Sequence, residues 1–109
     1  MIIDFKNIEE ASLPNFKGGE KSLEARMFFD GKNRIFTARL QPGASIGLHT
    51  HDTSSEIIFL TKGHAHVLYN GEMIELHEGQ CHYCAKGNTH SLINDSAEEV
   101  QFTAVVPEQ

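Results

Sequence analysis

Residues 43–63 read GASIGLHTHDTSSEIIFLTKG and carry three potential metal ligands within eight positions, His49, His51 and Glu56. Successive side chains of an extended strand point to opposite faces, so His49 and His51 project from the same face, roughly 6 to 7 Å apart along the chain. The polar DTSS segment that follows favours a loop, and the apolar EIIFL run after it suits a buried strand. Glu56 is therefore predicted to open a strand beside the two histidines.

The rest of the chain shows many short strand-like segments and few helix signals. The strongest turn marker is Asn70-Gly71, since both residues tolerate the positive φ of a tight hairpin turn. Near the N-terminus the pattern predicts one capped helical turn at Asn7 to Leu13 and a polar, Gly-rich connection at Asn15 to Lys21. The predicted strands are Leu23 to Asp30, Arg34 to Leu40, Ser45 to His51, Glu56 to Thr61, His64 to Tyr69, Met73 to Leu76, Gln80 to Cys84, Thr89 to Asn94 and Glu99 to Val106.

Evenly spaced short strands without helical periodicity predict an all-β fold, an antiparallel β-barrel or double-stranded jelly roll. At 109 residues the chain is long enough for a hydrophobic core in one domain. We expect the barrel domain over residues 23–109, with residues 1–22 packing on the barrel or extending it. The residues assigned to the core or to subunit contacts are Phe28, Phe29, Phe36, Ile57, Ile58, Phe59, Leu60, Leu92 and Phe102.

Charge and hydropathy disfavour two classes of partner. Nine Lys and Arg against fifteen Asp and Glu give a net charge of −6, which argues against a surface that tracks nucleic-acid phosphates. The longest uninterrupted apolar run, Ile57 to Leu60, is far shorter than the roughly 20 residues of a membrane helix. Asp4 stands where a signal peptide would carry its apolar stretch. We therefore expect a cytoplasmic protein that binds neither nucleic acid nor membrane.

Cys81 and Cys84 have the CxxC spacing, which is compatible with redox chemistry, metal binding or neither. The segment between Gly79 and Gly87 is too short for anything but a strand, in which residues three apart face opposite ways. The chain has no second cysteine pair for a zinc ribbon, and no βαβ pattern surrounds this one. We expect no functional dithiol here.

Two motifs, in order, resemble the signatures of the cupin superfamily. The first is Gly43, five residues, His49-Thr50-His51, four residues, Glu56, six residues and Gly63, and the second is Gly79, five residues, Ala85-Lys86-Gly87, two residues, His90, three residues and Asn94. Together they span about half of the chain, and their joint match is far rarer by chance than either match alone. The family usually has proline where this chain has Ala85, a departure that removes a fixed φ but no ligand.

The resemblance implies a small β-barrel that holds a divalent metal ion through His49, His51, Glu56 and His90. Imidazole nitrogens suit zinc, copper, iron and nickel, and a hard carboxylate shifts the preference toward iron and manganese. Iron or manganese is therefore favoured, with nickel or zinc as alternatives. A six-coordinate ion would keep positions open for water or substrate, which allows chemistry.

The other histidines receive different expectations. His64 and His66 repeat the HxH spacing, but the residues that alternate with them form the more apolar face, so we expect both to point outward without contacting the metal. His77 adjoins a turn and is expected to be solvated. His82 shares a face with Cys84 inside the barrel, where a polar group costs free energy unless it is hydrogen-bonded or useful. We therefore expect His82 to support the ligands or to face substrate, and we assign it, with Glu56, to the candidate catalytic residues.

The favoured function is a metal-dependent enzyme that acts on a small organic molecule, as a dioxygenase or related oxidoreductase, with Glu56 as ligand or proton acceptor. Small cupins also include isomerases, lyases and decarboxylases that need no redox change. A non-catalytic module for a sugar-like molecule is a further alternative, disfavoured because sensor domains often lack the full ligand set and because the chain leaves no room for a helix-turn-helix. We also expect a homodimer, since an all-β chain must protect its edge strands.

Overall fold

The computed structural model describes residues 1–109 and consists almost entirely of β-strands. Its helical elements are two 3-10 turns, Phe5–Asn7 and Phe16–Gly18, and none of them is long and apolar enough to span a membrane. The strands are β1 (Ala11–Pro14), β2 (Ser22–Phe29), β3 (Asn33–Leu40), β4 (His49–Thr50), β5 (Glu56–Lys62), β6 (His64–Tyr69), β7 (Glu72–His77), β8 (Cys81–Cys84), β9 (Thr89–Ile93) and β10 (Val100–Pro107).

The strands form two antiparallel sheets that share one core. A six-stranded sheet has the order β1-β2-β3-β10-β5-β8, and a four-stranded sheet has the order β4-β9-β6-β7. A single cluster of 16 buried apolar residues draws Phe36, Ile58 and Phe102 from the first sheet and Val67 and Leu92 from the second. Because the core lies between the two sheets, the all-β barrel or jelly roll predicted from the sequence is confirmed.

Alternating burial explains why these segments become strands. In β5 the side chains of Glu56, Ile58 and Leu60 are buried, whereas Phe59 is exposed. Every second residue therefore faces the core, as the period of an extended chain requires. The β6–β7 hairpin closes at Asn70-Gly71 with positive φ at both residues, as predicted. Apart from β4, the predicted strand boundaries agree with the structure to within one residue at each end.

The helical turn predicted at Asn7 to Leu13 is wrong. Asp4 caps a shorter 3-10 turn that ends at Asn7, with its carboxylate accepting from the Lys6 backbone N–H at 3.2 Å. The chain then extends into β1, which pairs with β2 from Ala11 opposite Ala25. An isolated helical turn leaves most of its backbone groups unpaired, whereas the free edge of β2 satisfies them. Tertiary pairing therefore overrides the local preference.

The strand predicted at Ser45 to His51 is also wrong over most of its length, because regular pairing is confined to His49–Thr50. The backbone N–H groups of Ser45 and Gly47 donate to the carbonyls of Glu20 and Phe16, each at 3.0 Å. These donors are used by the connection between β1 and β2, so they are not available to a neighbouring strand. The irregular segment leads directly into the first histidine of the motif.

Candidate metal centre

Strand pairing brings two of the predicted ligands side by side. His49 on β4 lies directly opposite His90 on β9, and residues opposite each other in an antiparallel pair project from the same face. Their ring centroids are 4.8 Å apart. His51 follows β4, and its backbone N–H donates to the Asn88 carbonyl at 3.0 Å. Glu56, at the start of β5 in the opposite sheet, reaches the same point and is only 5% exposed.

The donor atoms of the four residues lie within 4.8 Å of one another. His51 Nε2 is 3.1 Å from His49 Nε2, 3.0 Å from His90 Nε2 and 3.1 Å from Glu56 Oε1. Glu56 Oε1 is 2.9 Å from His90 Nε2 and 3.9 Å from His49 Nε2. The four residues singled out in the sequence therefore meet at one point between the two sheets.

These separations fit the ligand sphere of one small divalent ion. Two ligands at right angles, each about 2.1 Å from a metal, are about 3.0 Å apart, and two opposite ligands are about 4.2 Å apart. Four of the separations above are close to the shorter value, and the one between His49 and Glu56 approaches the longer value. The arrangement therefore matches four positions of an octahedron, the geometry of iron and manganese sites with nitrogen and oxygen ligands.

The outer nitrogens of two ligands are held by hydrogen bonds that leave Nε2 free. His49 Nδ1 donates to the Gly47 carbonyl at 2.7 Å, because a carbonyl oxygen can only accept. His51 Nδ1 lies 2.9 Å from the Ser54 hydroxyl, which accepts when that nitrogen carries the ring proton. With these protons on Nδ1, the Nε2 lone pairs face the Glu56 carboxylate with no hydrogen between them. These acceptor atoms repel one another, and a cation bound between them would offset the repulsion.

His82 stands behind His90 and contacts it directly. It lies opposite Ile58 in the pairing of β8 with β5, so its side chain enters the barrel, and it is 5% exposed. His82 Nε2 is 3.0 Å from His90 Nδ1, and its ring meets the edge of Tyr69 at 5.1 Å between centroids. Burial, and then the nearby His90, lower the pKa of His82 to about 4. Neutral His82 can therefore accept a hydrogen bond from the Nδ1–H group of His90.

The protonation states at neutral pH suit metal binding. When Nε2 of His51 or His90 carries a proton instead of facing a cation, hydrogen bonds to Glu56 outweigh the effect of burial and lower the pKa of this carboxyl to about 2. Burial lowers the pKa of His49, against the opposing effect of the Gly47 hydrogen bond. An ionised carboxylate and a neutral imidazole are the forms that bind a metal.

A cavity of about 720 Å³ opens onto His49, His51 and Glu56. Two cationic residues, Lys17 and Arg34, line it, and neither was singled out in the sequence. A signal for Arg34 was available, because it lies two residues before the buried Phe36 and so shares the inward face of β3. The apolar part of the wall consists of Leu13, Phe16, Met27, Phe36 and Val106. His82 does not line this cavity.

The remaining predictions for individual side chains can be compared with the fold. His64 and His66 point outward, as expected, while Ala65 between them is buried. His77 is exposed, also as expected. Cys81 is exposed and Cys84 is buried, and both are free cysteines. The two thiols of the CxxC spacing therefore face opposite ways.

The chain is similar to several known proteins in sequence or in fold. The sequence is 27% identical to an oxalate-binding protein of Thermotoga maritima over 112 residues, covering 97% of this chain and 93% of that protein. The fold superimposes on the crystal structure of a predicted oxalate decarboxylase from Thermotoga maritima with a TM-score of 0.92 and 25% identity, covering 100% of both chains. A sugar phosphate isomerase from Silicibacter pomeroyi shares the fold with a TM-score of 0.80 and 18% identity, covering 100% of this chain and 76% of that one.

The family itself is established by its sequence model. The model that describes the cupin domain matches residues 36–106, a stretch that includes both motifs and all four converging side chains. This match covers well over half of the 109 residues. The chain therefore belongs to the cupin domain family.

Proposed function

We propose that this protein binds a small carboxylate of the oxalate class at a divalent metal ion held by His49, His51, Glu56 and His90. The observation that carries the proposal is the meeting of these four donors, three of which line a cavity that also contains Arg34 and Lys17. Iron or manganese is the favoured ion, with nickel or zinc as alternatives. Four protein ligands leave two positions of a six-coordinate ion for the oxygen atoms of one small acid.

The chemistry of the cavity favours a compact anion. Arg34 and Lys17 are its cationic residues, and a guanidinium pairs with a carboxylate through two parallel hydrogen bonds. The Arg34 guanidinium carbon lies 4.4 Å from the centre of the Phe29 ring, which restricts its position. The rest of the wall combines five apolar side chains with the polar side chains of Thr50, Asp52, Thr53 and Ser54. The similarity to an oxalate-binding protein supports the same choice of ligand.

Each residue of the site has a distinct task in this proposal. A bound ion supplies Lewis-acid polarisation of the carboxylate oxygens. The imidazoles of His49, His51 and His90 are each oriented by a group at the outer nitrogen, so that Nε2 points toward the ion. Glu56 contributes the negative charge that balances the ion and can accept a proton. Arg34 orients the carboxylate of the ligand, and the apolar wall limits access of water to it.

For the reaction, we propose redox-neutral decarboxylation as the first candidate. Cleavage of the carbon–carbon bond of oxalate, with uptake of one proton, yields one formate and one carbon dioxide. The similarity to a predicted oxalate decarboxylase supports this choice. A dioxygenase or related oxidoreductase is the second candidate, favoured by a ligand set of three imidazoles and one carboxylate that suits redox-active iron or manganese.

Binding is tested by calorimetric titration of the manganese-loaded protein with oxalate. We expect the wild-type protein to bind one oxalate per chain and the metal-free protein to bind none. The variant Arg34→Gln should retain the metal and lose at least about tenfold in oxalate affinity, the effect of one charged hydrogen bond. Lys32→Gln, which makes the same change of charge at an exposed position, should bind as tightly as the wild type. Absence of binding to the metal-loaded wild type would reject the proposal.

The reaction is tested by measuring formate, carbon dioxide and oxygen together. Decarboxylation predicts formate and carbon dioxide in equal amounts without oxygen consumption. A dioxygenase predicts oxygen uptake in step with loss of substrate. Tight binding of oxalate without any product would identify a non-catalytic binding protein.

A further inference from the structure

The outer face of the four-stranded sheet carries a second group of potential metal ligands. His64 and His66 lie on β6, and Glu75 and His77 lie on β7. The register of the hairpin places His64 opposite His77 and His66 opposite Glu75. Because Ala65 is buried in the core, these four side chains project from the opposite, outer face. They are therefore separated by the sheet from the interior centre.

Three of these side chains bring donor atoms together. Nε2 of His64 and Nε2 of His66 each lie 3.8 Å from Glu75 Oε1, and the three donor atoms lie within 4.8 Å of one another. Ligands of a tetrahedral zinc ion are about 3.4 Å apart when each bond is about 2.1 Å long. A small rotation of the exposed Glu75 side chain is enough to close this difference.

Asp95 fixes the proton of one histidine on the nitrogen that faces away from the group. Its Oδ1 lies 2.7 Å from His66 Nδ1, and a carboxylate accepts a hydrogen bond from an imidazole N–H. The proton on Nδ1 leaves the Nε2 lone pair directed toward Glu75. Carboxylate, imidazole and metal in this order form a recurring arrangement in metal sites.

The other histidine has a nitrogen without a partner. His64 Nε2 is buried and makes no hydrogen bond, although its neighbours include a carboxylate. The ring is stacked on His77 with 4.7 Å between centroids, which restricts its orientation. An imidazole nitrogen that is shielded from water and unpaired carries a free energy cost, and coordination of a metal ion would remove it.

We propose that His64, His66 and Glu75 form a second metal site, with Asp95 as the residue that positions His66. Two imidazoles and one carboxylate suit a divalent ion such as zinc, copper or nickel. Three protein ligands leave one tetrahedral position for water. The ion would connect the edge strand β7 to β6, so its binding stabilises the hairpin.

The site is tested by counting zinc ions bound per chain at equilibrium, with zinc alone as the probe. The wild type should bind two ions, one in the interior and one on the outer face. The double variant His64→Gln/His66→Gln should bind one, and the interior double variant His51→Gln/His90→Gln should also bind one. Glu72→Gln, at an exposed position on the same hairpin but outside the donor group, should bind two. Because the interior and outer variants differ, failure of the interior centre is distinguishable from failure of this site.

A second measurement separates coordination from loose adsorption to exposed histidines. In the interior double variant, Asp95→Asn should weaken zinc binding by about 10-fold to 100-fold. Zinc should raise the Tm of the interior double variant and leave unchanged that of a variant lacking both histidine pairs. Equal zinc content of the wild type and His64→Gln/His66→Gln would overturn the proposal. No effect of Asp95→Asn on affinity would likewise overturn the role assigned to Asp95.

Discussion

Each imidazole of the interior centre is oriented by a different group on its outer nitrogen. A backbone carbonyl holds His49, a hydroxyl approaches His51, and the imidazole of His82 approaches His90. The carbonyl can only accept, so it fixes one ring proton. A hydroxyl and an imidazole can both donate or accept, so the proton positions at His51 and His90 depend on what occupies the centre.

His51 should be the most sensitive of the four ligands, because its Nε2 lies within 3.1 Å of the other three donors. We expect His51→Ala to abolish tight metal binding while the apolar core still folds. Manganese content after dialysis and the circular dichroism spectrum measure the two effects. His64→Ala, on the outer face, is the control and should leave the interior metal in place. Equal loss of interior metal from both variants would show that the ligands are wrongly assigned.

His82 should act through His90 rather than through contact with the ion. We expect His82→Leu to weaken metal binding by about 10-fold to 100-fold, the range for loss of a group that orients a ligand. His82→Gln should recover part of this loss, because an amide oxygen can accept from His90 Nδ1. Metal Kd values for the three proteins test this, and unchanged affinity in His82→Leu would contradict it.

Acid should release the interior metal through the histidines. The pKa of Glu56 is about 2, so its carboxylate stays ionised in mild acid. Protons compete with the metal for imidazole nitrogen, and an unperturbed imidazole has a pKa of about 6.5. Burial lowers the pKa of His49 below that value, so the affinity should be constant above about pH 6.5 and should fall progressively below it. A metal Kd that does not change down to about pH 5 would argue against histidine ligation.

At the scale of strands, turn residues made most boundaries predictable, whereas two segments were mispredicted because distant parts of the chain take up their backbone hydrogen bonds. The strand from Glu56 was predictable because a short apolar run rich in β-branched and aromatic residues follows the polar turn residues 52–55. The local signals at residues 7–13 and 45–48 predicted the wrong structure, because residues 11–14 pair with the free edge of β2 and the N–H groups of Ser45 and Gly47 donate to the connection around Phe16. These pairings depend on the assembled barrel and cannot be found from local sequence.

Gly47 should be indispensable to the geometry of β4. A Cβ atom at this position would overlap the backbone carbonyl of Lys17, and the Gly47 carbonyl also accepts the hydrogen bond of His49. We expect Gly47→Ala to lower the free energy of unfolding by at least about 2 kcal/mol, as overpacking against fixed backbone does, and to weaken metal binding. Denaturant unfolding and metal titration measure the two effects.

Gly31→Ala is the matched control for this prediction. Gly31 has positive φ but open space around it, so the substitution should cost only about 1–2 kcal/mol, through backbone strain alone. Its metal affinity should equal that of the wild type. If Gly47→Ala were as mild as Gly31→Ala, close packing against Lys17 would not be what holds this segment.

At the scale of the whole molecule, the fold and the convergence of His49, His51, Glu56 and His90 were predictable because both motifs keep fixed spacings. The residues around these four side chains were harder to predict from the sequence. Arg34 and Lys17 come from segments outside the motifs, and only the assembled barrel brings them to the cavity. The outer group could have been found from the Asn70-Gly71 turn, which sets the register that places His66 opposite Glu75.

The homodimer stays a prediction, and the outer face of the six-stranded sheet supplies a surface on which to test it. Phe59 on β5 and Tyr83 on the edge strand β8 are 46% and 55% exposed. We expect light scattering to give twice the mass of one chain, and Phe59→Ser/Tyr83→Ser to give a monomer. Met73→Ser, which removes an exposed apolar side chain from the other sheet, should remain dimeric. A monomeric mass for the wild type would contradict the prediction.

The most direct test of the interior centre is an anomalous difference map from crystals of the metal-loaded protein, recorded at the absorption edge of the ion. A single peak about 2.0–2.2 Å from Nε2 of His49, His51 and His90 and from one carboxylate oxygen of Glu56 is the expected result. A map without a peak between these four side chains, from protein that demonstrably carries the metal, would contradict the assignment.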